Sequence, residues 1–86
     1  MYEVFFTDHF TKKLKKIVKN DSKLTSRIEL KIKKLAENPK HPSLRLHKLS
    51  GQGNWSMSVN MSIRILINIE GKYIYCTDIG THDEVY

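Results

Sequence analysis

The sequence predicts an α+β fold: an N-terminal helical hairpin packed on one face of a four-stranded antiparallel core sheet, with a short N-terminal edge strand. Three observations carry that expectation. Apolar residues recur at helical spacing between residues 8 and 37, they alternate with period two inside residues 55–86, and the helical stretch precedes the strands. Helices first and consecutive strands after them favour an antiparallel sheet with the hairpin covering one side. No repeat or linker interrupts the chain, so residues 1–86 read as one small domain. A chain of 86 residues buries roughly 60–65% of its unfolded surface, which leaves a modest core and few elements to spare.

Tyr2-Glu3-Val4-Phe5-Phe6 is rich in aromatic and β-branched residues and reads as the short edge strand. Thr7 or Asp8 can cap the next helix, in which Phe10, Leu14, Ile17 and Val18 form a stripe one face wide. Asn20-Asp21-Ser22 breaks that pattern and supplies a second cap. Leu24, Ile28, Ile32 and Leu35 then step by three or four residues, until Asn38-Pro39 stops the helix near Glu37. Residues 44–49 alternate, with Leu44, Leu46 and Lys48 on one side and Arg45, His47 and Leu49 on the other. A flexible turn at residues 50–54 leads to strands expected at residues 55–61, 62–69 and 72–78, the last two joined through Glu70-Gly71. In the middle strand Ile63, Ile65, Ile67 and Ile69 share one face, so Arg64 stands on the other. The expected core is Phe10, Leu14, Ile17, Leu24, Ile28, Ile32, Leu35, Ile63, Ile65 and Ile67.

Charge is distributed unevenly. Of 15 Lys and Arg, 13 fall in residues 1–50, against 5 of the 9 acidic residues, which makes that half +8 and the remainder −2. A field of this sign suits a polyanion or an acidic protein, and equally describes a solvated basic helical face. The single Cys76 excludes an internal disulfide and a multi-cysteine metal site, and points to a reducing, cytoplasmic setting. No apolar run approaches the ~18 residues of a membrane span, and residues 1–15 lack a signal-peptide core. The four His, at 9, 41, 47 and 82, show no metal-ligand spacing, and no phosphate-binding or dinucleotide motif occurs.

Four features have chemistry to offer. His82 follows Gly80 just beyond the last expected strand, and an imidazole titrating near pH 6.5 is the natural proton carrier at neutral pH. Arg64 can hold a phosphate and stabilise charge growing on it, or simply pair with Asp78 or Glu70. Arg45, His47 and Lys48 make a cationic strand. Trp55 and Tyr86 can stack on bases, or, for Trp55 beside a glycine turn, close the edge of the core. Cys76, inside a strand, reads as a buried structural thiol.

Taken together, the helical hairpin, LHKLSG, the Gly-rich turn, W-S-x-S-V-N-x-S-I-R-I-L-I, the Gly hairpin and a terminal D-I-G-T-H-D-E-V-Y resemble the RelE/ParE superfamily of type II toxin–antitoxin toxins. The tail is most similar to its YafQ-type ribosome-dependent mRNA interferases. The resemblance implies an endoribonuclease that cuts mRNA on the ribosome without metal or cofactor, the 2′-hydroxyl attacking the adjacent phosphate. It also implies an acidic cognate antitoxin as partner. By position, His82 matches the family's C-terminal catalytic His, Tyr86 an aromatic at the chain end, and Arg64 a strand arginine that holds the scissile phosphate. His47 falls near another His of the YafQ branch. Departures from that branch are Ser62-Ile63 in place of an Asp-Trp pair, Asp78 in place of an Arg, and serines where a further His stands. A ParE-like inhibitor of DNA gyrase, and a degenerate homologue that only binds its antitoxin, are the other functions the superfamily implies.

Overall fold

The computed structural model describes residues 1–81 and residue 83. The chain runs β1 (Glu3–Phe6), α1 (Asp8–Ile17), α2 (Ser22–Glu37), a short 3-10 turn (Pro42–Leu44), β2 (His47–Lys48), β3 (Asn54–Ser58), β4 (Ile63–Glu70) and β5 (Tyr73–Thr81). Thr7 caps α1, its hydroxyl accepting from the Phe10 amide at 3.1 Å, and Asp8 adds negative charge in the first turn. Asp21 caps α2 through the Leu24 amide at 3.0 Å. Asn38, held extended before Pro39, ends it.

The five strands form one mixed sheet in the order β1-β5-β4-β3-β2. β2 to β5 are antiparallel neighbours, the expected four-stranded core, and β1 adds to β5 in parallel. The helices cover the face bearing Met57, Ile65, Ile67, Ile74, Cys76 and Ile79, and Phe10, Ile28 and Leu35 close the core from the helical side. Each such side chain fully removed from water contributes about 1.5–3 kcal/mol, so this layer dominates the stability. Leu14, Ile17, Leu24, Ile32 and Ile63, expected in the core, pack against it half-buried. At the β3 start Gly53 is required: it has φ +75°, and a Cβ there would meet the Ile69 carbonyl oxygen at 2.6 Å.

Two expectations need correction. Residues 44–49 do not form one strand, because Pro42 starts a 3-10 turn that buries Leu44, and Arg45 follows in the left-handed region at φ 46°. Only His47–Lys48 pair with β3. The last strand is also longer than residues 72–78, and it is bulged: Leu66 pairs with Asp78 while Ile67 pairs with Cys76, leaving Thr77 as the extra residue. A bulge shifts the alternation by one. Ile74 and Cys76 are buried, yet the next buried apolar residue is Ile79, so Asp78 escapes the core position that plain alternation would give it.

Candidate functional site

Arg64 lies opposite Ser58 on β3 and Gly80 on β5, on the face away from the helices. Its guanidinium is fixed by neutral groups. Nε donates to the Ser56 hydroxyl, and Nη2 donates to the Ser56 carbonyl and the Arg45 carbonyl, both at 3.0 Å. Ser56 is the one fully buried polar residue among those described, and a buried hydroxyl is costly unless it is hydrogen-bonded. Arg64 thus satisfies Ser56, and Ser56 aims Arg64. The second acceptor depends on Arg45 holding a left-handed backbone, a conformation costing roughly 1 kcal/mol or more for a residue other than glycine. Five N–H donors radiate from a guanidinium, and the two on Nη1 find no partner among the described residues. Opposite, Gly80 places no side chain over the fork.

The alternative in which Arg64 merely pairs with Asp78 or Glu70 does not hold. Asp78 accepts instead from Lys13 at 3.0 Å and His9 at 3.1 Å, both on α1, and from the Ile79 amide at 2.8 Å. Partial burial pushes its carboxyl up, but these hydrogen bonds and the Lys13 charge outweigh that, so it sits below the usual carboxylate range. Among the described residues no carboxylate pairs with Arg64.

The other expected site residues divide. His47 pairs with Ser56 and so shares the Arg64 face, where it is exposed. Lys48 pairs with Trp55, and both belong to the opposite face, so Lys48 and His47 stand on different sides, as the alternation of residues 44–49 expects, and Lys48 does not share the Arg64 face. Trp55 packs half-buried against the core beside Ile67. Arg45 keeps an exposed side chain next to the site, its carbonyl serving Arg64. His82 and Tyr86 lie outside the described residues; the last described strand residue, Thr81, is one position past Gly80. Cys76 is buried, which pushes its thiol up to about 12 and removes it as a nucleophile. No group of three or more His, Cys, Asp or Glu that could hold a metal ion occurs among the described residues.

Sequence reasoning missed Ser56, Arg27 and Lys31. Ser56 shares parity with Arg64 across the β3–β4 register, a signal visible only once that register is fixed. Arg27 and Lys31, four residues apart on α2, reach across to the Val59 carbonyl at 2.8 Å and the Ser43 carbonyl at 2.6 Å. With Arg45 they line an open cleft of about 430 Å³ beside the Arg64 fork.

No protein-family model and no curated protein matches the chain. Solved structures do. YafQ in the Escherichia coli DinJ–YafQ complex superposes with a TM-score of 0.82 at 17% identity, over 100% of this chain and 99% of that one. A metal-bound toxin from Helicobacter pylori gives 0.82 at 22% identity over the whole of both chains. The YoeB/ParE toxin from Agrobacterium tumefaciens gives 0.76 at 15% identity, over 93% of this chain and 98% of its own. The chain therefore has the fold of YafQ and of the YoeB/ParE toxin.

Proposed function

We propose that this chain is the toxin of a type II toxin–antitoxin pair, acting as a ribosome-dependent mRNA endoribonuclease. The observation that carries this reading is Arg64: a cation held by neutral oxygens on the face away from the helices, with donors left over among the described residues. The likeness of the fold to YafQ and YoeB/ParE toxins supports the toxin assignment.

The chemistry needs three tasks. The RNA 2′-oxygen attacks the adjacent phosphorus and the bond to the 5′-oxygen breaks, leaving a 2′,3′-cyclic phosphate. A base takes the 2′-hydroxyl proton, and an acid delivers a proton to the departing 5′-oxygen. Arg64 stabilises the negative charge that builds on the phosphate oxygens, a role worth about 3 kcal/mol when one such donor is removed from an enzyme. His82 serves as the acid in its imidazolium form, and Tyr86 stacks on a base to hold the line of attack. His47, which shares the Arg64 face, is the candidate for the base. An acidic antitoxin meets the +8 half of the chain, and the encounter is fast and salt-sensitive.

The test is induced expression with mapping of mRNA ends in translated frames. Wild type arrests growth and cuts; His82→Ala slows cutting by ~10²-fold or more while antitoxin binding persists. Full toxicity in His82→Ala combined with Arg64→Ala overturns the catalytic reading. Arrest without cuts, accompanied by DNA damage, would point to gyrase instead.

A further inference from the structure

We propose that the cleft formed by Arg27, Lys31 and Arg45 is a second phosphate subsite, which grips the RNA backbone next to the phosphate held by Arg64. This deepens the RNA-cleavage reading and rests on it. The cleft opens where α2, the 3-10 turn and the β3–β4 turn meet, and Ser58, Asn60 and Ser43 contribute polar lining. Three cations converge there, and among the described residues none has a carboxylate partner. Such a concentration of like charge is unfavourable in the free protein. Burial, followed by the charges of Arg27, Lys34 and Arg45, holds the Lys31 ammonium below its usual range.

The cations are also placed rather than waving in solvent. Arg27 Nε is anchored on the Val59 carbonyl and Lys31 Nζ on the Ser43 carbonyl, contacts that fix position without cancelling charge. Arg45 links this cleft to the reacting centre: its side chain lines the one while its carbonyl holds the guanidinium of the other. Ser58, a further wall of the cleft, is the cross-strand partner of Arg64. A strand bound by Arg64 therefore continues into a polar, cationic channel. Arg, Lys, Ser and Asn side chains are the groups that hold phosphates and fix register along a nucleic acid. An acidic protein segment would gain most from apolar anchors. The cleft offers few, in contrast to the groove between α1 and α2 lined by Phe6, Phe10, Leu14, Val18, Ile28 and Ile32.

The test uses the full chain and a 2′-O-methyl RNA hexanucleotide, which cannot be cut, followed by fluorescence anisotropy over a salt series. Arg27→Gln with Lys31→Gln should weaken binding by about tenfold at low salt and lower the salt slope by about 1.4, as expected when two phosphates of a single strand are no longer neutralised. The charge-keeping pair Arg27→Lys with Lys31→Arg should restore most of it, and thermal melts verify that each variant is folded. Lys12→Gln with Lys16→Gln removes the same charge from α1 and should change affinity less than about twofold, because distant exposed charges are screened. Equal weakening in both double variants reduces the effect to net charge and overturns the proposal. So does a double variant that weakens polyglutamate of the same length as much as RNA, which would make the cleft a protein-docking surface. If wild type makes no cuts on ribosomes yet RNA binding still depends on Arg27 and Lys31, the cleavage reading falls and the subsite stands. If wild type cuts and the Arg27, Lys31 variant binds RNA normally, the subsite falls alone.

Discussion

Asp78 and Arg64 sit two positions apart along the β4–β5 pair, and their surroundings are opposite in kind. Asp78 is reached from α1: Lys13 pairs with it, His9 hydrogen-bonds to it, and the Ile79 amide donates to the same carboxylate. Arg64 faces away from the helices and, among the described residues, meets a hydroxyl and two carbonyls. The first corner neutralises its charge internally and ties β5 to α1. The second meets no carboxylate among the described residues and keeps its fork aimed by neutral oxygens. A charged residue on a sheet can serve architecture or a ligand, and the identity of its partners tells which.

The largest effect that sharpens this contrast is at Arg64. Arg64→Ala should lower ribosome-dependent cleavage by about 10²–10³-fold, the loss expected for a preorganised charge-stabilising donor. Arg64→Lys should recover little, since a single ammonium cannot meet Ser56 and Arg45 and still present a fork to phosphate. Stability in urea should fall by only about 1–2 kcal/mol in Arg64→Ala, the cost of leaving Ser56 without its donor.

Asp78 should behave in the reverse way. Asp78→Asn should cost about 1 kcal/mol of stability at pH 7 and leave cleavage within about twofold. Its pH dependence follows from the lowered carboxyl. A group whose folded pKa is depressed stabilises the fold above its unfolded value, near 3.9, and that contribution is lost as pH falls through the folded value. The deficit of Asp78→Asn relative to wild type should therefore shrink on acidification and vanish in strong acid, as urea titrations at about pH 7, 4 and 2.5 would show. His9→Gln should give the smallest effect, roughly 0.5 kcal/mol or less, because the His9 side chain is 66% exposed.

The same two corners separate what the sequence reveals from what it hides. The isoleucine alternation in residues 63–69 places Arg64 on the face opposite the isoleucines without any structure, since side-chain parity in a strand is fixed by the backbone. The helices are equally legible, because Thr7, Asp21 and Asn38-Pro39 act locally. Non-local geometry is not. Ile79 falls out of phase with Ile74 and Cys76, and that mismatch is the sequence trace of the bulge at Thr77; extending a simple alternation to Asp78 overlooks it. A similar extension makes a strand of residues 44–49, although Pro42 and the left-handed Arg45 bend the chain there. Lys48 and His47 stand on opposite faces, a relation the alternation of neighbouring residues already shows in the sequence. Arg27 and Lys31 are indistinguishable in sequence from the other helix cations, because their anchors on Val59 and Ser43 come from distant segments.

Side-chain NMR of arginine Nε–H groups during titration with the uncleavable RNA hexanucleotide separates the two corners. The Arg64 Nε resonance should shift at low RNA concentration, while the Ile79 amide, which reports on the Asp78 corner, stays still. An unmoved Arg64 signal at saturating RNA, or equal shifts at both corners, would contradict that contrast.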